Sequence, residues 1–302
     1  QPGAAAVVVR LVSLAGRRQA RTEGPLAPLG DWLGGGSPAL FYQPQVCLRT
    51  RAPIAFEALI RWRHPTAGTL APAAFLPYAE SSGVMRALTL YVVSTAAKDL
   101  ARWRRDGIDA TVAVNVPVTL LAEPGVVDDV RAVLEATAMV PGDLRIEITE
   151  HDSLDEAGAV SAALAALADL GVGLSIDDFG AGYSSLGRVA DLPITELKID
   201  RSLVAGLMAN RRAGVIVRST IEMARDLGLI VTGEGAETAA VLEELARMGC
   251  HRAQGFHIAR PMPVDDVSAW TRSWAIRSAS SLPPNAFSAA ASLVAPPRRG
   301  AA

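Results

Sequence analysis

Between residue 40 and about residue 275, short apolar runs of strand character alternate with helix-periodic stretches, and this alternation leaves the chain few architectures. The strand-like runs are ALFYQPQVCL (39–48), IAFEALIRW (54–62), TVAVNV (111–116), DLRIEIT (143–149), GLSIDDF (173–179), ELKID (196–200), LIVTGE (229–234) and CHRAQG (250–255). Helical patterns fill the gaps. In ALTLYVVSTAAKDLARWRR (87–105), Leu90, Val93, Ala97, Leu100 and Trp103 recur at the spacing of one helix face. AVSAALAALADLG (159–171) and AGVIVRSTIEMARDLG (213–228) each stop at a glycine, the usual C-terminal signal. Eight strands, most followed by a helix, predict an α/β fold of the TIM-like (β/α)8 barrel type. A doubly wound open sheet shares the alternation, but no glycine-rich phosphate fingerprint follows the first strands. The first two runs are joined by RTRAP (49–53), too short for a crossover helix, so the first strand is expected to pair antiparallel with the second.

A core of this size accounts for most of the 302 residues. Residues 1–39, with Arg17, Arg18 and Arg21 and the stretches GPLAPLG and GGGSP, read as a linker or the remnant of a preceding region; 40–275 form the barrel, and the Ala/Ser/Pro-biased 276–302 a disordered tail. Twenty-nine basic against 31 acidic residues leave no basic field for wrapping polymeric nucleic acid. The cysteines, Cys47 and Cys250, are far apart and form no metal-type pair, which fits a reduced, cytoplasmic chain. The uncharged opening stretch ends at Arg10, well short of the roughly 20 residues of a membrane span. Because the chain opens on Gln1, an upstream sensory or membrane segment in a longer parent is expected.

Charged and amide residues collect at the C-terminal ends of the strands: Glu57 and Arg61; Asn115; Glu147 and Glu150; Asp177 and Asp178; Lys198 and Asp200; Glu234 and Glu237; and Gln254. Parallel barrels build their sites at that end. Glu57 poses the sharpest demand, since it lies in the apolar run FEALI and a buried carboxylate needs a partner or a metal. Alternation puts Glu57, Leu59 and Arg61 on one face and Phe56, Ala58 and Ile60 on the other. With Glu57 pointing inward, Glu147 and Asp177 converge on it. Glu57, Glu147, Asp177, Asp178 and Glu234 carry −5, Lys198 returns +1, and the remaining −4 matches two divalent cations. An oxygen-only set with one neutral amide, Asn115, suits Mg²⁺ or Mn²⁺ and not zinc. Two such ions suit in-line displacement at phosphorus, with Lys198 placed to orient the nucleophile, Glu234 to accept a proton or bind metal, and Arg61 to clamp a phosphate.

With those residues assembled, the chain resembles the EAL family of cyclic-di-GMP phosphodiesterases, from YQP (42–44) to QGFHIARPMP (254–263). The ordered series FEALIRWRHP, VNV, EITE, DDFGAGYSSL, LPITELKIDRS, GEGAET and GCHRAQG carries the resemblance. It implies hydrolysis of cyclic di-GMP, a bacterial second messenger, to linear pGpG with Mg²⁺ or Mn²⁺. Glu57, Asn115, Glu147, Asp177 and Asp178 fall on the family's metal ligands, and Lys198 and Glu234 on its water-activating residues. Glu150 and Glu237 match acids that support the loop 178–185, and Arg61, Gln254 and Gln43 match substrate contacts. The resemblance also implies frequent homodimers and leaves room for a sensory or cyclase domain upstream. Pro117 departs from a common Ser and removes an amide donor beside Asn115; Thr195 replaces a frequent Asp, and Ala181 stands where Thr is common. Every acid of the set is present, which favours an active enzyme over a weak or inactive receptor or a scaffold.

Several polar residues carry plainer readings. Asp200, just before Arg201-Ser202, reads as a helix N-cap, and Glu237 equally as a first-turn acid. His64, His151, His251 and His257 read as structural or exposed, and Trp62 and Trp103 as packing residues.

Overall fold

The computed structural model describes residues 35–149, 158–181 and 191–279. The segments 1–34, 150–157, 182–190 and 280–302 lie outside it, among them Arg17, Arg18, Arg21, Glu150, His151 and most of the loop after Asp178. The described chain opens with a hairpin of two long strands, β1 (Ser37–Cys47) and β2 (Pro53–His64), with a short β3 (Gly68–Leu70) beside β2. Helices α1 (Leu76–Ser81) and α2 (Met85–Arg105) lead to β4 (Thr111–Asn115). Next come α3 (Val118–Leu121), α4 (Val126–Thr137), β5 (Leu144–Thr149), α5 (Ala159–Asp169) and β6 (Gly173–Phe179). The chain continues through β7 (Glu196–Ile199), α6 (Arg201–Ala205), α7 (Arg211–Asp226), β8 (Ile230–Gly233), α8 (Ala239–Arg247), β9 (Arg252–Gln254), β10 (Met262–Pro263) and α9 (Val264–Ala279).

Eight of these strands close into a barrel in the order β1-β2-β4-β5-β6-β7-β8-β9. Pairs from β2–β4 round to β8–β9 are parallel, while β1 is antiparallel to both its neighbours. The expected barrel and its reversed first strand are both present. The reversal follows from the tight connection: the Cys47 amide donates to Ala52 O at 2.9 Å and the Arg51 amide to Cys47 O at 2.7 Å, with Arg51 at φ +59°. α9 holds this turn from outside, through a hydrogen bond from Trp274 Nε1 to Arg51 O at 2.6 Å. The short edges β3 and β10 had no counterpart among the predicted strands.

The large apolar core lies between strands and helices. Val112 and Val114, Ile146 and Ile148, Leu174 and Ile176, Leu197 and Ile199, and Val231 all join one buried cluster with α2, α4, α5, α7 and α8. Phe56 and Ala58 belong to the same cluster and the half-buried Ile60 packs against it, as alternation requires. Ala55 and Ala113 are fully buried yet lie outside it, so they fill the barrel interior. On α2 the buried stripe runs through Thr89, Val93, Ala96, Ala97, Leu100 and Trp103; Leu90 is only half-buried, a correction to the predicted face. Trp103 stands edge-on to Tyr42 at 4.6 Å between centroids and packs against Phe56 at 4.9 Å, locking α2 onto the hairpin. Trp62, fully buried, anchors a smaller cluster with Phe75 and Leu88.

The interior of the barrel is polar along its whole depth. Gln43, Gln45, Glu57, Arg145, Glu147, Ser175, Asp177, Glu196, Lys198, Thr232 and Gln254 are all buried. Burial of that many polar groups is costly unless they satisfy one another or a ligand.

Candidate metal and phosphodiester site

Period-two alternation delivers each acid to the mouth. Glu57 sits four residues along β2 from Pro53, Glu147 on β5 and Asp177 on β6 follow the same inward phase, and Lys198 rises from β7. Lys198 is fully buried, with Nζ 2.7 Å from Glu234, 2.9 Å from Glu147, 3.1 Å from Asp177 and 4.0 Å from Glu57. Four carboxylates from four strands or strand ends therefore surround one ammonium. Burial opposes the charge on Lys198, but these acids outweigh it and hold its pKa well above the ordinary lysine range.

The acids themselves are held protonated more readily than usual. Burial, then the neighbouring Glu57 and Asp177, raise Glu147 well above the ordinary carboxyl range despite Lys198. Burial first, and the nearby Asp177 and Glu57, push Glu234 up to about 8. Asp178, in a left-handed backbone conformation at φ +55°, is raised to about 6 by burial and by Asp177 and Asp200. In the unfolded chain these groups titrate near 4. The folded, metal-free protein therefore binds more protons between about pH 4 and 8, and its stability falls as pH rises through that window. His251, whose pKa burial lowers, acts in the opposite direction near neutrality. We expect thermal unfolding in chelator to show lower stability at pH 8 than at pH 5, with Glu234→Gln flattening the slope. A melting temperature that climbs steadily from pH 5 to 8, unaffected by that substitution, would refute the assignment.

Amides complete the mouth. Asn115 Nδ2 donates to Glu57 Oε1 at 2.7 Å, and Gln254 Nε2 donates to Glu57 Oε2 at 2.5 Å and to Gln43 Oε1 at 3.1 Å. Gln43 donates in turn to Ala259 O at 3.0 Å, and Gln45 donates to Gln254 Oε1 at 3.0 Å. Arg61 is half-buried on the Glu57 face, its guanidinium 5.7 Å from the centroid of Phe41. Close packing fixes the β9 end: a Cβ on Gly255 would lie 2.3 Å from Ala236 N and O.

Two groups of acids have oxygen atoms within 4.8 Å of one another, Glu57–Glu147–Asp177 and Asp177–Asp178–Glu234, with Asp177 common to both. Glu147 Oε1 is buried and accepts no hydrogen bond among the described residues. A buried carboxylate oxygen left without a donor, in an oxygen-only set, fits a hard divalent cation.

The structure thus brings together ten of the twelve predicted site residues: Gln43, Glu57, Arg61, Asn115, Glu147, Asp177, Asp178, Lys198, Glu234 and Gln254. Glu237 is exposed after β8, and Glu150 lies outside the described residues. Pro117 precedes α3 in extended backbone, and Asn115 keeps its bond to Glu57 beside it. Asp200 caps α6, accepting from the Ser202 amide at 2.9 Å. His64 Nδ1 accepts from the amides of Thr66 and Ala67, and His251 Nδ1 from that of Val231, as structural histidines do. Thr195 Oγ1 donates to Leu174 O at 3.2 Å, a backbone tie away from the mouth. The sequence reading missed Gln45 and a second polar tier of Arg145, Ser175, Glu196, Thr232 and Arg252. Their signal was simple: most lie two residues from a residue already singled out, on the same inward phase.

A family model for the EAL domain matches residues 33–261. The chain belongs to the EAL domain family. Among its relatives, the bifunctional diguanylate cyclase/cyclic di-GMP phosphodiesterase MucR of Pseudomonas aeruginosa is 39% identical over 231 residues, covering 76% of this chain and 34% of MucR. A cyclic di-GMP phosphodiesterase of the same organism is 35% identical over 233 residues, covering 77% of this chain and 40% of that one. This EAL chain therefore matches well under half the length of either. A solved PaMucR phosphodiesterase in complex with c-di-GMP superposes with a TM-score of 0.72 at 39% identity, covering 76% of this chain and 94% of that one. An EAL domain protein from Listeria monocytogenes gives 0.70 at 31% identity, covering 77% and 91%. Among the described residues of this EAL domain, no helix is long and apolar enough to cross a membrane.

Proposed function

We propose that this EAL domain hydrolyses cyclic di-GMP to linear pGpG with two Mg²⁺ or Mn²⁺ ions, lowering the level of the second messenger. The observation that carries this reading is the convergence of Glu57, Glu147, Asp177 and Glu234 on the buried Lys198 at the barrel mouth. The names of the relatives, cyclic di-GMP phosphodiesterases among them, support the substrate.

In this reading Glu57, Asn115, Glu147, Asp177 and Asp178 hold the ions. Asn115 commits Nδ2 to Glu57 and keeps its carbonyl oxygen for a cation. When bound, the ions neutralise charge on the phosphodiester and make water a stronger nucleophile. Lys198 supplies positive charge toward the phosphoryl oxygens and orients the water. Glu234, at the end of β8 and 2.7 Å from Lys198 Nζ, is placed to take up a proton from that water. Water loses a proton to Glu234 as it adds to phosphorus, the bond from phosphorus to one ribose oxygen breaks, and that oxygen takes up a proton to leave as a hydroxyl. Gln43 and Gln254 supply amides to the substrate, and Arg61 presents a planar fork to a phosphate. Glu150 and Glu237 support the loop that begins at Asp178.

The domain works on a dinucleotide and not on polymeric nucleic acid, in the cytoplasm, as a homodimer, and within a longer protein whose upstream part senses a signal or makes the messenger. Incubation of the purified protein with cyclic di-GMP and Mn²⁺ or Mg²⁺, followed by chromatography, tests the reaction. Formation of pGpG supports it; retention of intact ligand without product would make the domain a receptor, and no retention would make it a scaffold.

A further inference from the structure

Below the mouth, two residues back along three strands, lies a second charged tier to which neither the sequence reading nor the proposed chemistry gives a role. Glu196 on β7 is fully buried and takes Arg145 Nη1 of β5 at 2.6 Å and Arg252 Nη1 of β9 at 3.1 Å. Thr232 of β8 donates to its other oxygen. Arg145 is also buried, and its Nε makes no hydrogen bond among the described residues. Two guanidiniums against one carboxylate leave a net positive charge in the barrel floor.

This charge lies close to the acids. Arg145 precedes Glu147 by two residues on β5 and Glu196 precedes Lys198 by two on β7. At a strand rise near 3.3 Å per residue, the tiers are roughly 7 Å apart along the strands. Both are walled by strands, so solvent screens their interaction little. A pure packing role explains such a triad poorly, since an apolar replacement of similar volume is often as stable as a buried ion cluster.

Resting on the metal-site reading above, we propose that the Arg145–Glu196–Arg252 triad tunes the divalent-cation affinity of the mouth through its net charge. The three are positioning residues that touch no ion. Their surplus positive charge offsets part of the acid set and keeps the site from binding cations more tightly than turnover allows. Opposite charge changes in the floor then move affinity in opposite directions.

Calorimetric titration of Mn²⁺ into the whole protein tests this, with folding of each variant checked by circular dichroism. Glu196→Gln adds a positive charge to the floor and should weaken Mn²⁺ binding by about tenfold or more, as a unit charge does at this range in a poorly screened interior. Arg145→Gln removes one and should tighten binding by a similar factor. If that variant fails to fold, Arg252→Gln makes the same charge change. The double variant Arg145→Gln/Glu196→Gln restores the original net charge and should return affinity close to wild type. If both charge changes weaken binding, or neither moves it, the triad is structural and the inference falls. A wild-type protein that binds no Mn²⁺ would instead overturn the metal site itself.

Discussion

Glu57→Ala is expected to remove turnover of cyclic di-GMP. Glu57 accepts from both Asn115 and Gln254 and lies 4.0 Å from Lys198, so it ties together two amides of the mouth and the ammonium. Loss of a group that merely orients a metal ligand costs roughly 10–100-fold. Loss of a ligand that also orders two neighbours should exceed that, and product measured by chromatography should fall below a hundredth of the wild-type rate. Mn²⁺ titration should show the same variant losing at least one ion. The fold should survive, because removing one negative charge relieves the crowding around Glu147 and Asp177. Retained activity with retained metal would mean that Glu57 is not a ligand.

The second large effect concerns stability. Lys198→Met leaves Glu147, Asp177 and Glu234 facing one another without the cation that now separates them. Breaking a buried charge cluster by removing one partner typically costs about 3–5 kcal/mol. Urea unfolding in chelator near pH 8 should reveal a loss of that order. At pH 5 the loss should shrink, since Glu147 and Glu234 already bind protons readily there. Saturating Mn²⁺ should recover much of the stability by binding only the folded state. Equal stability of variant and wild type in chelator at pH 8 would show that Lys198 is not the counter-charge of the acids.

Strand order and the gathering of polar residues at the mouth were readable because each depends on local rules. Period-two alternation placed Glu57 opposite Phe56, and the short link 49–53 reversed the first strand. The floor was not read, although the same rule applied. Arg145 and Glu196 stand at the starts of their runs, where a charged residue usually marks a solvated strand end, and only barrel closure brings them together with Arg252. Leu90 was misplaced because α2 packs against both α4 and the β1–β2 hairpin, which widens the buried stripe toward Thr89, Val92 and Ala96. Lys198 as the hub of four acids could not be read from spacing either. Its partners come from β2, β5, β6 and the end of β8, and their mutual distances are set by barrel curvature.

The reversed strand β1 has a consequence for how the molecule matures. It zips to β2 at once, yet its other edge must wait for β9: the Gln45–Gln254 bond spans 209 positions. Until nearly the whole domain has left the ribosome, the cylinder stays an open sheet with a gap at one seam. The acids cannot gather, and a half-made chain has no assembled mouth.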